Sequence, residues 1–285
     1  MVYFYPIFYY HINAGNSHQL QIEGFDIKDL KTRYGSWALV AGASEGLGAA
    51  YAEALAKHGF NLILIARREH KLLELAGSLG KKYKIEVQSH ALDLAKISDI
   101  IDILEKDALD IGLLVYNAAY APIAPFSKVS KEQLDMVTDV NVKGPLLLSK
   151  YVSKNMIEQQ RGAIILMSSL AGTQGSPKLV AYSASKAFNA ILAEGLWGEL
   201  RSQGIDVLAS VAGAIRTPGY AAAQKKSAPG TLDADTVVTK TLNALGKRPL
   251  VVPGLTNKIA RFLMGRLLPR TWAISMMKKN TESLE

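Results

Sequence analysis

The sequence predicts one α/β domain, a doubly wound parallel sheet held between two layers of helices. Three observations carry that expectation. Strand-length apolar runs alternate with helix-length amphipathic ones along most of the 285 residues, the order that places a parallel sheet between helices. The runs Phe60–Ala66 and Ala163–Met167 are almost unbroken in apolar residues, as strands covered on both faces should be. The chain is 49% hydrophobic, with no internal repeat and no linker, so a single large core suffices.

The elements follow in order. A polar, turn-rich stretch from Asn13 to Lys31 precedes a first strand, Ser36–Ala41, and a helix, Leu47–Lys57, stopped by Gly59 as a C-terminal cap. Strand Phe60–Ala66 leads to a helix over Glu69–Leu79 and strand Ile85–Ser89. A helix over Ile97–Lys106 then precedes strand Leu113–Tyr116. One long helix over Lys131–Gln159 leads to strand Ala163–Met167. A helix over Tyr182–Ser202, ended by Gly204, hands over to strand Ile205–Val211.

Composition removes several classes of function. Without cysteine, disulfides, thiolate nucleophiles and cysteine-ligated metals are excluded, and a cytoplasmic location fits. The five histidines show no metal-ligand spacing, so no metal is expected. The formal charge of +8 is concentrated from Lys240 onward, where nine basic residues face two acidic ones. No nucleic-acid motif accompanies them. The aromatic stretch Met1–Ile12 lacks a basic n-region, a cleavage site and the length to cross a bilayer.

The first strand runs into Gly42-Ala43-Ser44-Glu45-Gly46-Leu47-Gly48, a G-x-x-x-G-x-G turn opening a helix. Glycines belong where the backbone turns tightly and a diphosphate must approach main-chain N–H groups. Between a strand and a helix, this turn marks a Rossmann-type dinucleotide site in a three-layer αβα domain. Gly42, Ser44, Gly46, Leu47 and Gly48 are its candidate binding residues. The second strand ends not in an acid but in Ala66-Arg67-Arg68. A guanidinium grips a 2′-phosphate that a carboxylate would repel, so NADP(H) is expected over NAD(H), with Arg67 the selecting residue. Glu45 places an opposing charge near the same phosphate.

Tyr182 and Lys186 form Y-x-x-x-K, which puts both side chains on one helix face. A free tyrosine has a pKa of about 10 and is a poor base at neutral pH; an ammonium beside it stabilises the phenolate. Ser169, thirteen residues upstream and just past a strand end, can hydrogen-bond a substrate oxygen as charge develops there. Its neighbour Ser168 is the rival for that role.

The glycine turn, Asp93, Asn117, Asn141, Ser169, Tyr182 and Lys186 stand in the order and spacing of the short-chain dehydrogenases/reductases. The chain resembles that superfamily from about Ser36 to Val252. Three departures stand out: Ala41 replaces the threonine before the glycines, Tyr116-Asn117-Ala118-Ala119 replaces N-N-A-G, and Ala212 replaces a proline. The resemblance implies that Asp93 reads the adenine amino group, with Leu94 in backbone contact, and that Asn117 and Ala118 line the cofactor. It implies a catalytic set of Asn141, Ser169, Tyr182 and Lys186, Asn141 completing the proton relay. Tyr182 and Lys186 would also touch the cofactor, and Gly213, Ile215 and Thr217 would lie beside the nicotinamide amide.

The expected activity is hydride transfer between NADP(H) and a lipophilic ketone or alcohol. The walls expected of the pocket, Ser169 to Tyr182 and Arg216 to Thr231, are mostly small or apolar, with Lys178, Arg216, Lys225 and Lys226. The alternatives are a non-catalytic NADP-binding protein and an isomerase or dehydratase on the same fold. The helix Tyr182–Ser202 is apolar beyond one core contact, and the resemblance implies a homodimer or homotetramer built on it and the long helix before it. Residues 1–35 read as an N-terminal extension and 253–285 as a basic, apolar C-terminal extension, whose segment Asn257–Pro269 could rest on an anionic membrane surface.

Overall fold

A computed structural model describes residues 30–223 and 228–282. Met1–Ile12 and the pair Lys225 and Lys226 lie outside the described residues. Chain order begins with α1 (Leu30–Tyr34), β1 (Trp37–Ala41), α2 (Gly46–Lys57), β2 (Asn61–Ala66) and α3 (Glu69–Tyr83). It continues with β3 (Val87–Ala91), α4 (Ile97–Asp107), β4 (Ile111–Tyr116), α5 (Lys131–Thr138), α6 (Gly144–Gln159) and β5 (Gly162–Ser169). Then come α7 (Val180–Leu200), β6 (Ile205–Ala212), β7 (Ile215–Arg216), α8 (Pro218–Ala223) and β8 (Leu232–Asp233). The last elements are α9 (Ala234–Leu242), β9 (Leu250–Val251), α10 (Leu255–Phe262) and α11 (Arg270–Glu282).

Seven strands form one parallel sheet in the order β3-β2-β1-β4-β5-β6-β9. The order reverses direction between β1 and β4, and the crevice at the carboxyl ends there is where such sheets hold ligands. Alternate residues of each strand feed two cores. Ala38, Val40, Leu62 and Leu64 meet Tyr51 and Leu55 of α2, Leu72 of α3 and Val237 of α9. Leu39, Ile63, Ile65 and Ile164 meet Ile100 and Leu104 of α4, Leu148 and Val152 of α6 and Ala193 of α7. Each fully buried Leu, Ile or Val contributes about 1.5–3 kcal/mol, so the central strands are the rigid frame on which the loops are mounted.

Residues 30–34, placed by the sequence in the N-terminal extension, are packed into this body. Leu30 and Tyr34 are buried, and Asp206 on β6 accepts hydrogen bonds from Tyr34 Oη at 2.8 Å and Arg33 Nη2 at 2.6 Å. The expected single helix over Lys131–Gln159 is also corrected. It consists of α5, a π-helical turn over Asp139–Lys143, and α6. Pro145 has no N–H to offer the carbonyl of Asn141, its α-helical partner. The Tyr116 hydroxyl takes the neighbouring Val140 carbonyl at 2.6 Å, and the Gly144 N–H reaches back to Asp139 instead. A Cβ on residue 144 would collide with the Tyr116 hydroxyl. The wide turn therefore sits around Asn141, a fully buried residue, as π-turns at functional positions often do.

Candidate active site

Two clusters meet at the carboxyl edge of the sheet. The first is a cleft of about 540 Å³ at the β1/β4 crevice. Gly42, Ser44, Gly46, Leu47, Arg67, Asp93, Leu94, Asn117, Ala118 and Thr217 all line it. Its floor needs glycine. Gly42 and Gly46 have φ of +88° and +57°, and a Cβ on Gly42 would come within 2.8 Å of the Ala118 backbone. Gly48 does not line the cleft; a Cβ there would strike the Gly42 carbonyl, so its role is to let α2 start close under the turn. Asn117 donates from Nδ2 to the Gly42 carbonyl at 2.9 Å, and the Asn117 and Ala118 N–H groups both donate to the Ala41 carbonyl. These bonds fix the turn even with alanine at positions 41 and 119. Gly213 and Ile215 are not among the cleft residues: Gly213 packs against Asn257 and Ile215 pairs with Leu232.

The charges at this cleft resolve the problem posed by Glu45. Its carboxylate accepts from Arg68 at 2.8 Å and from Lys71 at 2.8 Å. The Arg68 hydrogen bond first, and that of Lys71 second, hold it down to about 2. Arg68 also donates to Ser44 Oγ at 2.9 Å. Arg67 is exposed at the cleft rim and forms no ion pair among the described residues. Arg68 and Lys71 thus cancel the acid, and Arg67 keeps its charge for a ligand. Linear spacing gave no signal for this triad, because Glu45 precedes α2 while Arg68 and Lys71 stand at the start of α3.

The second cluster lies at the end of β5, which runs two residues further than the sequence suggested and so carries both serines. Ser168 is buried and its Oγ donates to the Lys186 carbonyl at 2.6 Å. Ser169 is half-buried, caps the following turn by accepting from the Ala171 N–H at 3.2 Å, and hydrogen-bonds the Tyr182 phenol. In their contacts the two serines differ: Ser168 ties strand to helix, and Ser169 faces the phenol.

Burial pushes the Tyr182 phenol up, and the bond to Ser169 pulls the other way. The Lys186 ammonium lies 5.7 Å from the Tyr182 ring centre and donates to the Met167 carbonyl at 2.9 Å. With no carboxylate beside it, burial brings that ammonium down to about 8. Asn141 enters through its side chain as a tie. Nδ2 donates to the Tyr120 carbonyl at 2.8 Å and to Ser185 Oγ at 3.0 Å, and Oδ1 accepts from the Tyr120 N–H at 2.7 Å. Ser185 in turn donates to the Tyr182 carbonyl at 2.7 Å. Asn141 therefore fastens the cleft loop to the helix that bears the tyrosine. Tyr120 and Ser185, which sequence reasoning passed over, are its partners.

A second, mostly apolar cleft of about 540 Å³ opens along another flank of α7, walled by Val180, Ala184 and Ala187 and by Ile274 of α11. Gly172 and residues 174–177, part of the expected substrate wall, also line it.

The sequence profile described as short chain dehydrogenase matches residues 36–228. Hydroxysteroid dehydrogenase-like protein 1 of Gallus gallus is 32% identical over 254 residues, 86% of this chain and 76% of that protein. The very-long-chain 3-oxoacyl-CoA reductase of Anas platyrhynchos is 36% identical over 61% of this chain and 57% of its own length. Inactive hydroxysteroid dehydrogenase-like protein 1 of Homo sapiens is 38% identical over 63% of this chain and 56% of its own. The match thus spans little more than half of these last two proteins. Among solved structures, one from work on 7beta-hydroxysteroid dehydrogenase stereoselectivity superposes with a TM-score of 0.82 at 28% identity, covering 87% of this chain and 98% of that one. A short-chain dehydrogenase from Sphingobium yanoikuyae in complex with NADPH gives a TM-score of 0.71 at 30% identity, covering 77% and 88%.

Proposed function

The chain belongs to the short-chain dehydrogenases, a family of oxidoreductases, and on that premise we propose that it reduces a lipophilic ketone with NADPH, or oxidises the matching alcohol. The observation that carries the reading is the meeting of Ser169, Tyr182 and Lys186 at one strand end, beside a cleft with a glycine floor and a free guanidinium. The cleft suits a dinucleotide: Cβ atoms on Gly42 or Gly46 would crowd Ala118 and Thr217 of its lining, and the exposed Arg67 at its rim supports a 2′-phosphate partner. Gly42, Ser44, Gly46 and Leu47 would cradle the diphosphate, Asp93 and Leu94 the adenine, and Asn117, Ala118 and Thr217 the nicotinamide half. Such a cofactor supplies or takes the hydride when bound.

The chain's own residues handle the proton. Ser169 orients the carbonyl oxygen by hydrogen bonding, and Tyr182 gives its phenolic proton to that oxygen in reduction or takes one from the hydroxyl in oxidation. Lys186 supplies the positive charge that favours the phenolate. Ser168 and Asn141 hold Lys186 and Tyr182 in place. The related hydroxysteroid and 3-oxoacyl names support a lipophilic substrate. Exposed Leu146 and Leu147 on α6 and Ile191 on α7 support a homodimer built on these two helices.

A second reading, NADP binding without catalysis, is favoured by relatives whose name includes inactive. The intact Ser169, Tyr182 and Lys186 weigh against it. Incubation with NADPH and a panel of steroid, 3-oxoacyl thioester and aromatic ketones separates the two: the oxidoreductase reading expects NADPH consumption with at least one class. Deuterium carried from labelled NADPH into an alcohol product would also exclude an isomerase, which returns its hydride.

A further inference from the structure

The C-terminal helices carry an amphipathic pattern turned inside out. Leu255, Ile259, Phe262 and Leu263 recur at the spacing of one helical stripe, yet each is 40–73% exposed. The side of α10 that meets the body is small and polar instead. Asn257 is 3% exposed and donates to the carbonyls of Gly230 at 3.1 Å and Pro253 at 3.0 Å. The outward apolar surface continues through Leu267, Trp272 and Met276, 48–65% exposed, while Ala273 faces inward, fully buried. A monomer in water seldom leaves so large a run of apolar side chains bare.

Charge identifies what covers it. Lys258, Arg261, Arg266, Arg270, Lys278 and Lys279 lie within the same segment, and no acidic residue falls between Gly254 and Thr281. A second copy packed through this face about a two-fold axis would bring one cationic cluster against its equal. Nucleic acid would satisfy the cations but not the apolar stripe. A bilayer with anionic headgroups satisfies both, with a tryptophan at the interfacial depth it favours.

We propose that α10 and α11 form a docking face on which the protein rests at an anionic membrane surface, with the stripe Leu255–Ile259–Phe262–Leu263 inserted at the acyl boundary. No helix among the described residues is long and apolar enough to cross a membrane, so the contact lies along the surface. The proposal does not depend on the redox reading, because lipid binding is measured without turnover.

The test uses the full chain and sedimentation with vesicles of phosphatidylcholine alone or with phosphatidylglycerol at a molar ratio of about 7:3. The expected result is partition at least about tenfold stronger into the anionic vesicles, weakened by 0.5 M salt, with a blue shift of tryptophan emission. The double substitution Ile259→Ser with Phe262→Ser should reduce partition by about tenfold or more, while NADPH binding stays unchanged and so reports an intact fold. Absence of partition, equal partition into neutral vesicles, or an unaffected double variant would overturn the proposal. So would a dimer in light scattering that the double variant abolishes, since the face would then join two copies.

Discussion

The Ser168 hydroxyl donates a 2.6 Å hydrogen bond to the Lys186 carbonyl, and this single contact divides the work of two adjacent serines. It ties α7 to β5, while Ser169 is the serine beside the Tyr182 phenol. Ser168→Ala removes one buried hydrogen bond while the Lys186 carbonyl keeps its helical partner in α7, which should cost about 0.5–1.5 kcal/mol of stability. Turnover should fall less than in Ser169→Ala, whose loss should fall mainly on kcat. Urea denaturation and steady-state rates of both variants check the division. A Ser168→Ala protein of normal stability and poor turnover would reverse it.

Arg67 and Arg68 should affect cofactor choice by different routes. Arg67→Ala removes the unpaired guanidinium and should narrow the preference for NADPH over NADH by about ten- to a hundredfold, the value of one charged hydrogen bond. Arg68→Ala should also weaken NADPH, because it leaves the Glu45 carboxylate only half neutralised beside the phosphate turn. Glu45→Gln in the Arg68→Ala background should then restore affinity. Fluorescence titration with both cofactors reads each step.

The same acid predicts an acid-limb effect on stability. Glu45 has its pKa lowered from 4.5 to about 2 by Arg68 and Lys71. A depressed carboxylate stabilises the folded state fully above its unfolded value, and that share is lost as pH falls from about 4.5 toward about 2. Glu45→Gln should flatten the stability curve in that window alone. An unchanged slope between the two proteins would contradict the pairing.

Lys186 sets an opposite pair of trends at high pH. Its folded value is near 8 and its unfolded value 10.5. Between these the unfolded chain holds more protons, so stability should rise with pH there. Cofactor affinity should fall over the same range, because the neutral amine no longer offers a charge. Thermal melts and NADPH titrations across pH 7 to about 10.5 would show the two curves diverging. Lys186→Met should lose the pH dependence along with most of the affinity and turnover.

The π-turn makes a prediction about packing. Gly144→Ala drives a methyl group into the Tyr116 hydroxyl, and overpacking of this kind typically costs about 1–3 kcal/mol. Tyr116→Phe removes the struck oxygen, so the double variant should be more stable than the sum of the two single changes predicts. Strict additivity would show that the two residues do not share the strain.

Much of this was legible in the sequence for a physical reason. Parallel strands buried on both faces must be apolar throughout, which made β2 and β5 readable, and a phosphate turn must contain glycine, which marked Gly42 and Gly46. Pairs within one helix, such as Tyr182 and Lys186, show themselves by spacing. What was not legible came from contacts between distant elements. Nothing near Glu45 announces Arg68 and Lys71, and nothing near Asn141 announces Ser185. The break in the Lys131–Gln159 helix had a visible cause in Pro145, four residues after Asn141, but the Tyr116 hydroxyl that completes it belongs to another strand. Burial of the outward and inward faces of α10 likewise depends on what it packs against, which its own apolar period does not specify.

The central claim is that Tyr182 is the proton-transferring group, and Tyr182→Phe tests it most directly because the ring and its packing remain. With any accepted ketone, kcat should fall by about 10²–10⁴-fold, the usual worth of general acid catalysis, while NADPH affinity stays within about threefold of the unmodified protein. A folded Tyr182→Phe protein that turned over at near-normal rate would contradict the account.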